Sequence, residues 1–249
     1  MDFKDYFSKQ AKEYSKYRPK YPAELFSYLS SLVNEHNTAW DCATGNGQAA
    51  IGLEPHFKKI IATDASSSQI EHAELHPKIE YRTLTAENSG LESDSVDLLT
   101  VATAIHWINT EIFYPEAKRI IKNGGVIAVW TYSESFINEE VDEVYEKLYK
   151  EILAEYWPVE NKNAWKFEES VQLPFEAIET PEFEIKLKWN LSEYLNYLNT
   201  WSSTQQYIIK NGKNPLDQVY DDFLAAWKDE NIKLDMKKRV MLKAGRIVK

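Results

Sequence analysis

Cysteine occurs once in the 249 residues, at Cys42, so neither an internal disulfide nor a cysteine-ligated metal cluster can form. Histidine offers no metal site in its place. His36, His56, His72, His76 and His106 lack ligand spacing, since Pro77 ends the helix that would carry the His72–His76 pair; no metal is expected. No apolar run approaches the roughly 18 residues that a membrane helix needs. The opening Met1-Asp2-Phe3-Lys4-Asp5-Tyr6 is charged where a signal peptide is apolar. Positive charge is also short: 29 Lys and Arg stand against 39 Asp and Glu, a formal charge of -10. An acidic chain repels phosphate backbones, which argues against nucleic acid unless basic residues are gathered on one face. The expected setting is a reducing compartment, the cytoplasm, with no membrane and no nucleic-acid partner. Oligomeric state cannot be read from these features.

What is present suffices for a packed core. Hydrophobic residues make up 43% of the chain and aromatic residues 13%, too many for wholesale disorder. Apolar stripes at helical spacing alternate with short apolar runs bounded by turn residues. Residues 1–35 read as a helical segment broken near Pro19 and Pro22. Strands are expected at 38–43, 59–64, 79–82, 96–101 and 126–130, with helices at 48–57, 67–75 and about 110–121 between them. Gly124-Gly125 is read as the turn into the fifth strand. Such alternation predicts a parallel sheet covered on both faces. Val141, Val144, Tyr145, Leu148, Ile152 and Tyr156 predict one long amphipathic helix. Phe183–Trp189 alternates as a half-buried strand, helices follow near 192–200 and 216–228, and residues 239–248 supply a last strand. The chain is therefore expected to be one domain. It comprises an N-terminal helical segment (1–35), a ligand-binding core (36–131), and a helical insertion with the last strands (132–249).

Chemistry concentrates at the ends of the predicted strands. Asp41-Cys42-Ala43-Thr44-Gly45-Asn46-Gly47-Gln48 follows the first. Two glycines one residue apart permit a tight turn and let a ligand approach the backbone without a Cβ in the way. The helix starting near Gln48 directs free N–H groups at the same place. Asp64 ends the second strand, where a carboxylate can accept from both ribose hydroxyls of an adenosine or simply cap the next helix. Thr85-Ala86-Glu87-Asn88 follows the third strand.

Together these elements resemble the class I S-adenosylmethionine-dependent methyltransferases, in the branch shared with small-molecule and trans-aconitate-type enzymes. Asp41-x-x-x-Gly45-x-Gly47 is similar to the family's first motif, which holds the methionine end of the cofactor. Asp64 matches its ribose-binding acid and Ala86-Glu87 its adenine-side motif. Ala104-Ile105-His106-Trp107 matches a His-Trp pair after the fourth strand. Tyr14-Ser15-Lys16-Tyr17-Arg18-Pro19-Lys20-Tyr21-Pro22 matches an N-terminal Tyr-x-x-x-Arg-Pro-x-Tyr-Pro segment. The resemblance implies a Rossmann-like, doubly wound, mostly parallel seven-stranded sheet with an antiparallel last strand. It implies S-adenosylmethionine as cofactor, held by Tyr14, Arg18, Asp41, Thr44, Gly45, Gly47, Gln48, Asp64, Ala65, Gln69, Ala86, Glu87 and Thr103.

The partner implied is a small-molecule methyl acceptor, with Arg18, His106, Trp107 and Trp201 as its contacts. Pro19 biases Arg18 away from helix. Its planar guanidinium suits a carboxylate, either that of the cofactor's methionine or that of an acidic acceptor. His106 is the general-base candidate for a hydroxyl or amine acceptor; a carboxylate acceptor needs none. Trp201 and Tyr207 are candidate walls of a water-excluding pocket. The basic tail Lys233, Lys237, Lys238, Arg239, Lys243, Arg246 and Lys249 reads as a solvated strand face. A competing reading is an NAD-dependent oxidoreductase, since Gly45-x-Gly47-x-x-Ala50 followed by Asp64 also fits a dinucleotide fingerprint. Against it, Asp41 places negative charge before the turn. A third reading is a protein that binds the cofactor without catalysis.

Overall fold

Eight strands form a single sheet in the structure, a computed structural model that describes residues 17–161 and 166–249. They are β1 (Thr38–Cys42), β2 (Lys59–Asp64), β3 (Ile79–Thr83), β4 (Val96–Ala102), β5 (Ile121–Tyr132), β6 (Glu176–Ile178), β7 (Phe183–Trp189) and β8 (Leu234–Arg246). The order is β3-β2-β1-β4-β5-β8-β6, with β7 also on β8. The first five strands pair in parallel, and β8 runs antiparallel to β5, β6 and β7.

The eighth strand reconciles with the expected seven. β6 faces residues 244–246 of β8 and β7 faces residues 234–240, while residues 240–246 face β5 on the other edge. β6 and β7 thus form one outer column, interrupted by a bulge. From Ile178 to Phe183 the chain advances five residues, and its partners Ala244 and Val240 lie four apart. The interruption holds Pro181, which has no N–H to give a ladder and sits at a sheet edge.

Alternation of side chains divides the core between the two faces. Leu98, Val126, Ala128 and Trp130 pack on one face beneath α1 (Ala23–Ser31) and α2 (Gln48–Leu53). Leu99, Val101, Ile127 and Val129 pack on the other with Phe113 and Ile120 of α4 (Thr110–Ile120). α3 (Ser67–Glu71) follows β2. Strand order reverses between β1 and β4, the crevice where ligands bind in open α/β sheets.

A helical cap follows β5. It holds α5 (Glu139–Glu146), α7 (Leu191–Asn199), α8 (Ser202–Asn211) and α9 (Tyr220–Trp227), with the short α6 (Phe167–Ser170) before β6. The expected long helix from 141 to 156 is broken. After α5 the backbone widens into a π-helix over Lys147–Ile152, with Leu153 N donating to Leu148 O at 2.9 Å, and closes in a 3₁₀ turn at Ala154–Tyr156. The wider turn buries Leu153 where a regular α-helix would bury Ile152. Elsewhere the helices after β1 and β2 end earlier than expected, and α8 is an additional helix between those expected near 192–200 and 216–228. Gly124-Gly125 is part of β5, in a bulge against β4 between Val96 and Leu98, rather than a turn before the strand. Among the described residues no helix is long and apolar enough to cross a membrane.

Candidate active site

Tight turns at the carboxyl ends of β1, β2 and β4 bring most of the expected residues together. Asp41, fully buried, ends the apolar run of β1. Its Oδ2 accepts from Thr44 Oγ1 at 2.5 Å and its Oδ1 from Thr100 Oγ1 at 2.8 Å. Burial pushes its carboxyl up to about 6, with those hydroxyls pulling the other way. The chain then turns through left-handed backbone at Ala43 (φ 54), Gly45 (φ 57) and Gly47 (φ 88). At Gly47 the room is also missing, since a Cβ would collide with the Tyr81 hydroxyl.

Asp64 locks this turn to the end of β2. Its Oδ2 accepts from Gly45 N at 2.8 Å and its Oδ1 from Ser66 N at 2.9 Å. Ser66, one residue after Ala65, caps α3 by accepting from Gln69 N, and the buried Gln69 side chain lies toward the glycines. Gln69 Oε1 lies 3.8 Å from where a Cβ on Gly45 would stand. That atom and Gln48 Nε2 are both buried without a hydrogen-bond partner among the described residues. Buried amide atoms in this state are costly; both lie beside a turn of bare backbone.

The end of β4 is strained in the same way. Thr103 takes φ 54, a conformation that β-branched residues rarely adopt. Its N donates to Trp130 O at 2.7 Å, and its Oγ1 lies 2.9 Å from Tyr21 OH. Two strained non-glycine residues, Ala43 and Thr103, thus stand at the ends of adjacent strands. His106 and Trp107 follow on a 3₁₀ turn, rings 4.9 Å apart. Burial pushes the His106 imidazole down to about 4, opposed by the charge of Glu160, so it is neutral at pH 7. Ala86 packs in the core beside Ile61 and Ile105. Glu87 Oε1 accepts from Asn109 N at 2.9 Å, where α4 begins.

Arg18 lies farther along the edge, at β5 and the cap. Its Nη1 donates to Tyr132 OH at 2.9 Å and its Nη2 to Thr200 O at 3.3 Å, and its Cζ is 5.7 Å from the Tyr197 ring centroid. Trp201 starts α8 inside an aromatic cluster, with Tyr145, Tyr149, Trp157 and Tyr197 at 5.6, 5.8, 5.3 and 5.9 Å. Tyr207 belongs to the same apolar cluster. Tyr14 lies outside the described residues.

Sequence reasoning missed one member of this edge. Lys238, expected on a solvated strand face, is 1% exposed, with Nζ 5.1 Å from the Tyr132 ring centroid and 4.9 Å from that of Tyr197. Its signal was register: Met236, Lys238 and Val240 share a face of β8, so the lysine occupies an apolar position.

Comparison with known proteins agrees with this architecture. Residues 40–129 match the methyltransferase-domain family. A Dictyostelium discoideum protein described as a methyltransferase is 34% identical over 230 residues, covering 91% of this chain and 88% of that one. A Saccharomyces cerevisiae protein described as S-adenosylmethionine-dependent is 30% identical over 132 residues, 49% of this chain and 45% of its own length. The structure of a candidate type II methyltransferase from Anaeromyxobacter dehalogenans superposes with a TM-score of 0.86 at 34% identity, covering 93% of this chain and 98% of that one.

Proposed function

The chain belongs to the class I S-adenosylmethionine-dependent methyltransferases, and from that premise we propose that its acceptor is a small molecule bearing a carboxylate. The residues at the strand ends fit the cofactor. Among the described residues Gln69 Oε1 and Gln48 Nε2 lack hydrogen-bond partners beside a turn whose glycines leave the backbone bare, and Asp64 brings a carboxylate to the same turn, where it accepts from Gly45 N. In this reading Asp64 holds the ribose with Ala65 beside it. The Gly45–Gly47 turn, with Asp41, Thr44 and Gln48, receives the methionine end. Ala86 and the second oxygen of Glu87 serve the adenine side, and Thr103 shapes the floor. Bound there, S-adenosylmethionine supplies an electrophilic methyl group on a sulfonium sulfur.

The placement of Arg18 carries the acceptor assignment. Its guanidinium lies at Tyr132, Thr200 and Tyr197, on the β5 side of the edge, rather than over the glycine turn between β1 and β2. This favours the acceptor over the cofactor's own carboxylate. The acceptor enters between the N-terminal segment and the cap, where Trp107 and Trp201 wall off water. A carboxylate already carries the attacking lone pair, so no proton has to be removed. Orientation by Arg18 then does most of what the chain contributes. His106, held neutral with a conjugate acid near 4, is a weak base for a hydroxyl and serves instead as a neutral wall.

An acceptor screen of carboxylic acids beside their amides, read by S-adenosylhomocysteine release and product mass, tests this. Methyl esters are expected. Arg18→Lys should raise KM about tenfold with kcat little changed, because the two parallel bonds of the planar fork are lost. Methylation at nitrogen or carbon, or an unchanged KM, contradicts the proposal.

A further inference from the structure

Lys238 points into the protein from β8, between Met236 and Val240 in the same register. Its ammonium has three donors, yet among the described residues it meets a single oxygen, Ser133 O at 3.3 Å, and otherwise the faces of Tyr132 and Tyr197. No carboxylate among the described residues lies within ion-pair distance of it; Glu134 acts on it only through longer-range charge. A buried, carboxylate-free ammonium is costly, and methionine would fill the space without that cost. Burial holds the amine down to about 8, so it is still mostly protonated at pH 7. Arg18 shares both of its tyrosines, donating to the Tyr132 hydroxyl and lying across the Tyr197 ring. Two cations therefore converge on one pair of rings. Beyond Tyr197 the wall is wholly aromatic, through Trp201 to Tyr145 and Tyr149. Tyr132 and Ser133, both in contact with the ammonium, are themselves only half-buried.

We propose that Lys238 determines acceptor specificity, holding with Arg18 the carboxylate of an acceptor whose body is apolar and packs on the aromatic wall. The inference rests on the methyltransferase reading and adds to it a second cation and the character of the rest of the molecule. Charge-assisted bonds are strengthened by apolar surroundings, and two like charges reject a cationic amine acceptor.

Calorimetry on the full chain tests it in two stages. Titration with S-adenosylhomocysteine comes first. The saturated protein is then titrated with benzoate and phenylacetate, with benzamide and phenylacetamide as uncharged counterparts, and with inorganic phosphate. Each acid should bind at least about tenfold tighter than its amide, and phosphate more weakly than either acid. Lys238→Met should abolish the acid preference, keep the affinity for S-adenosylhomocysteine, and raise the melting temperature of the ligand-free protein. A purely structural lysine would instead lower that temperature. Amides binding as well as acids, phosphate binding best, no acid binding at all, or a preference that survives in Lys238→Met each overturns the inference. Where Lys238→Met does not fold, Lys238→Gln takes its place: it removes the charge and should lose the same acid preference, and a preference that survives in it overturns the inference. A first titration without binding removes the methyltransferase reading, and the inference with it.

Discussion

At the residue scale, the site is a collection of local costs that the rest of the fold sustains. Ala43 and Thr103 occupy left-handed backbone, Asp41 is buried without a basic partner among the described residues, and His106 is stripped of the water that would charge it. Each cost gives a measurable consequence. Ala43→Gly should leave stability unchanged or raise it by up to about 1 kcal/mol in urea unfolding, because relief of the left-handed strain offsets glycine's entropy. A loss of about 1 kcal/mol, as for glycine in ordinary backbone, would contradict the strain. For His106 the folded pKa, about 4, lies below the ordinary 6.5. Between those values the unfolded chain binds more protons, so the stability present above pH 6.5 is lost as pH falls toward 4. Melting curves from pH 7 to 4.5 should therefore fall more steeply for the wild type than for His106→Gln, by an amount on the order of 2 kcal/mol at most. Parallel curves would place a charged imidazole in the native state. The glycine turn and Asp64 were legible in the sequence because their chemistry is local, a turn and an acid at fixed spacing. Lys238 was not read, because its burial depends on which face of a late strand the cap covers.

At the level of elements, the parallel half of the sheet was legible and the cap was not, for a physical reason. Strands β1, β2 and β4 are buried nearly throughout and carry short apolar runs, since both of their faces are covered. The cap is assembled from short helices whose limits are set by contacts distant in sequence. α8 opens with Ser202-Ser203-Thr204, poor helix formers, yet all three are buried, and Thr204 Oγ1 donates to Leu198 O at 2.9 Å. Tertiary packing overrides propensity there. The π-helix after α5 is likewise invisible to a 3.6-residue period, because it moves burial by one residue only after Leu148. One contact between elements is open to test. A Cβ on Gly52 of α2 would overlap the ring of Phe26 in α1. Gly52→Ala should destabilise by about 1–3 kcal/mol despite alanine's better helix propensity, and Phe26→Leu in the same chain should recover part of the loss. A stabilised Gly52→Ala would show that α1 is not seated on α2 in this way.

For the whole molecule, the sheet edge and the cap divide the work between a shared reaction and a particular acceptor. The carboxyl ends of β1, β2 and β4 carry the groups that fit a nucleoside cofactor. The N-terminal segment, the end of β5, β8 and the cap carry two cations and an aromatic wall within an otherwise acidic chain of net charge -10. Local concentration of positive charge at one edge is what a small anionic acceptor needs, and the surrounding acidity disfavours large polyanions. A ligand that binds only the folded chain must also stabilise it by mass action. S-adenosylhomocysteine at a hundred times its dissociation constant should add about 2.7 kcal/mol, a rise in melting temperature of roughly 5–10 °C for a chain of this size. The central claim is tested most directly by calorimetric titration of the wild type and Asp64→Ala with S-adenosylhomocysteine, with NAD in parallel. The wild type should bind with a dissociation constant on the order of micromolar, Asp64→Ala at least about a hundredfold more weakly, and NAD should not bind. Binding of NAD alone, or an affinity for S-adenosylhomocysteine that survives the loss of Asp64, would contradict that claim.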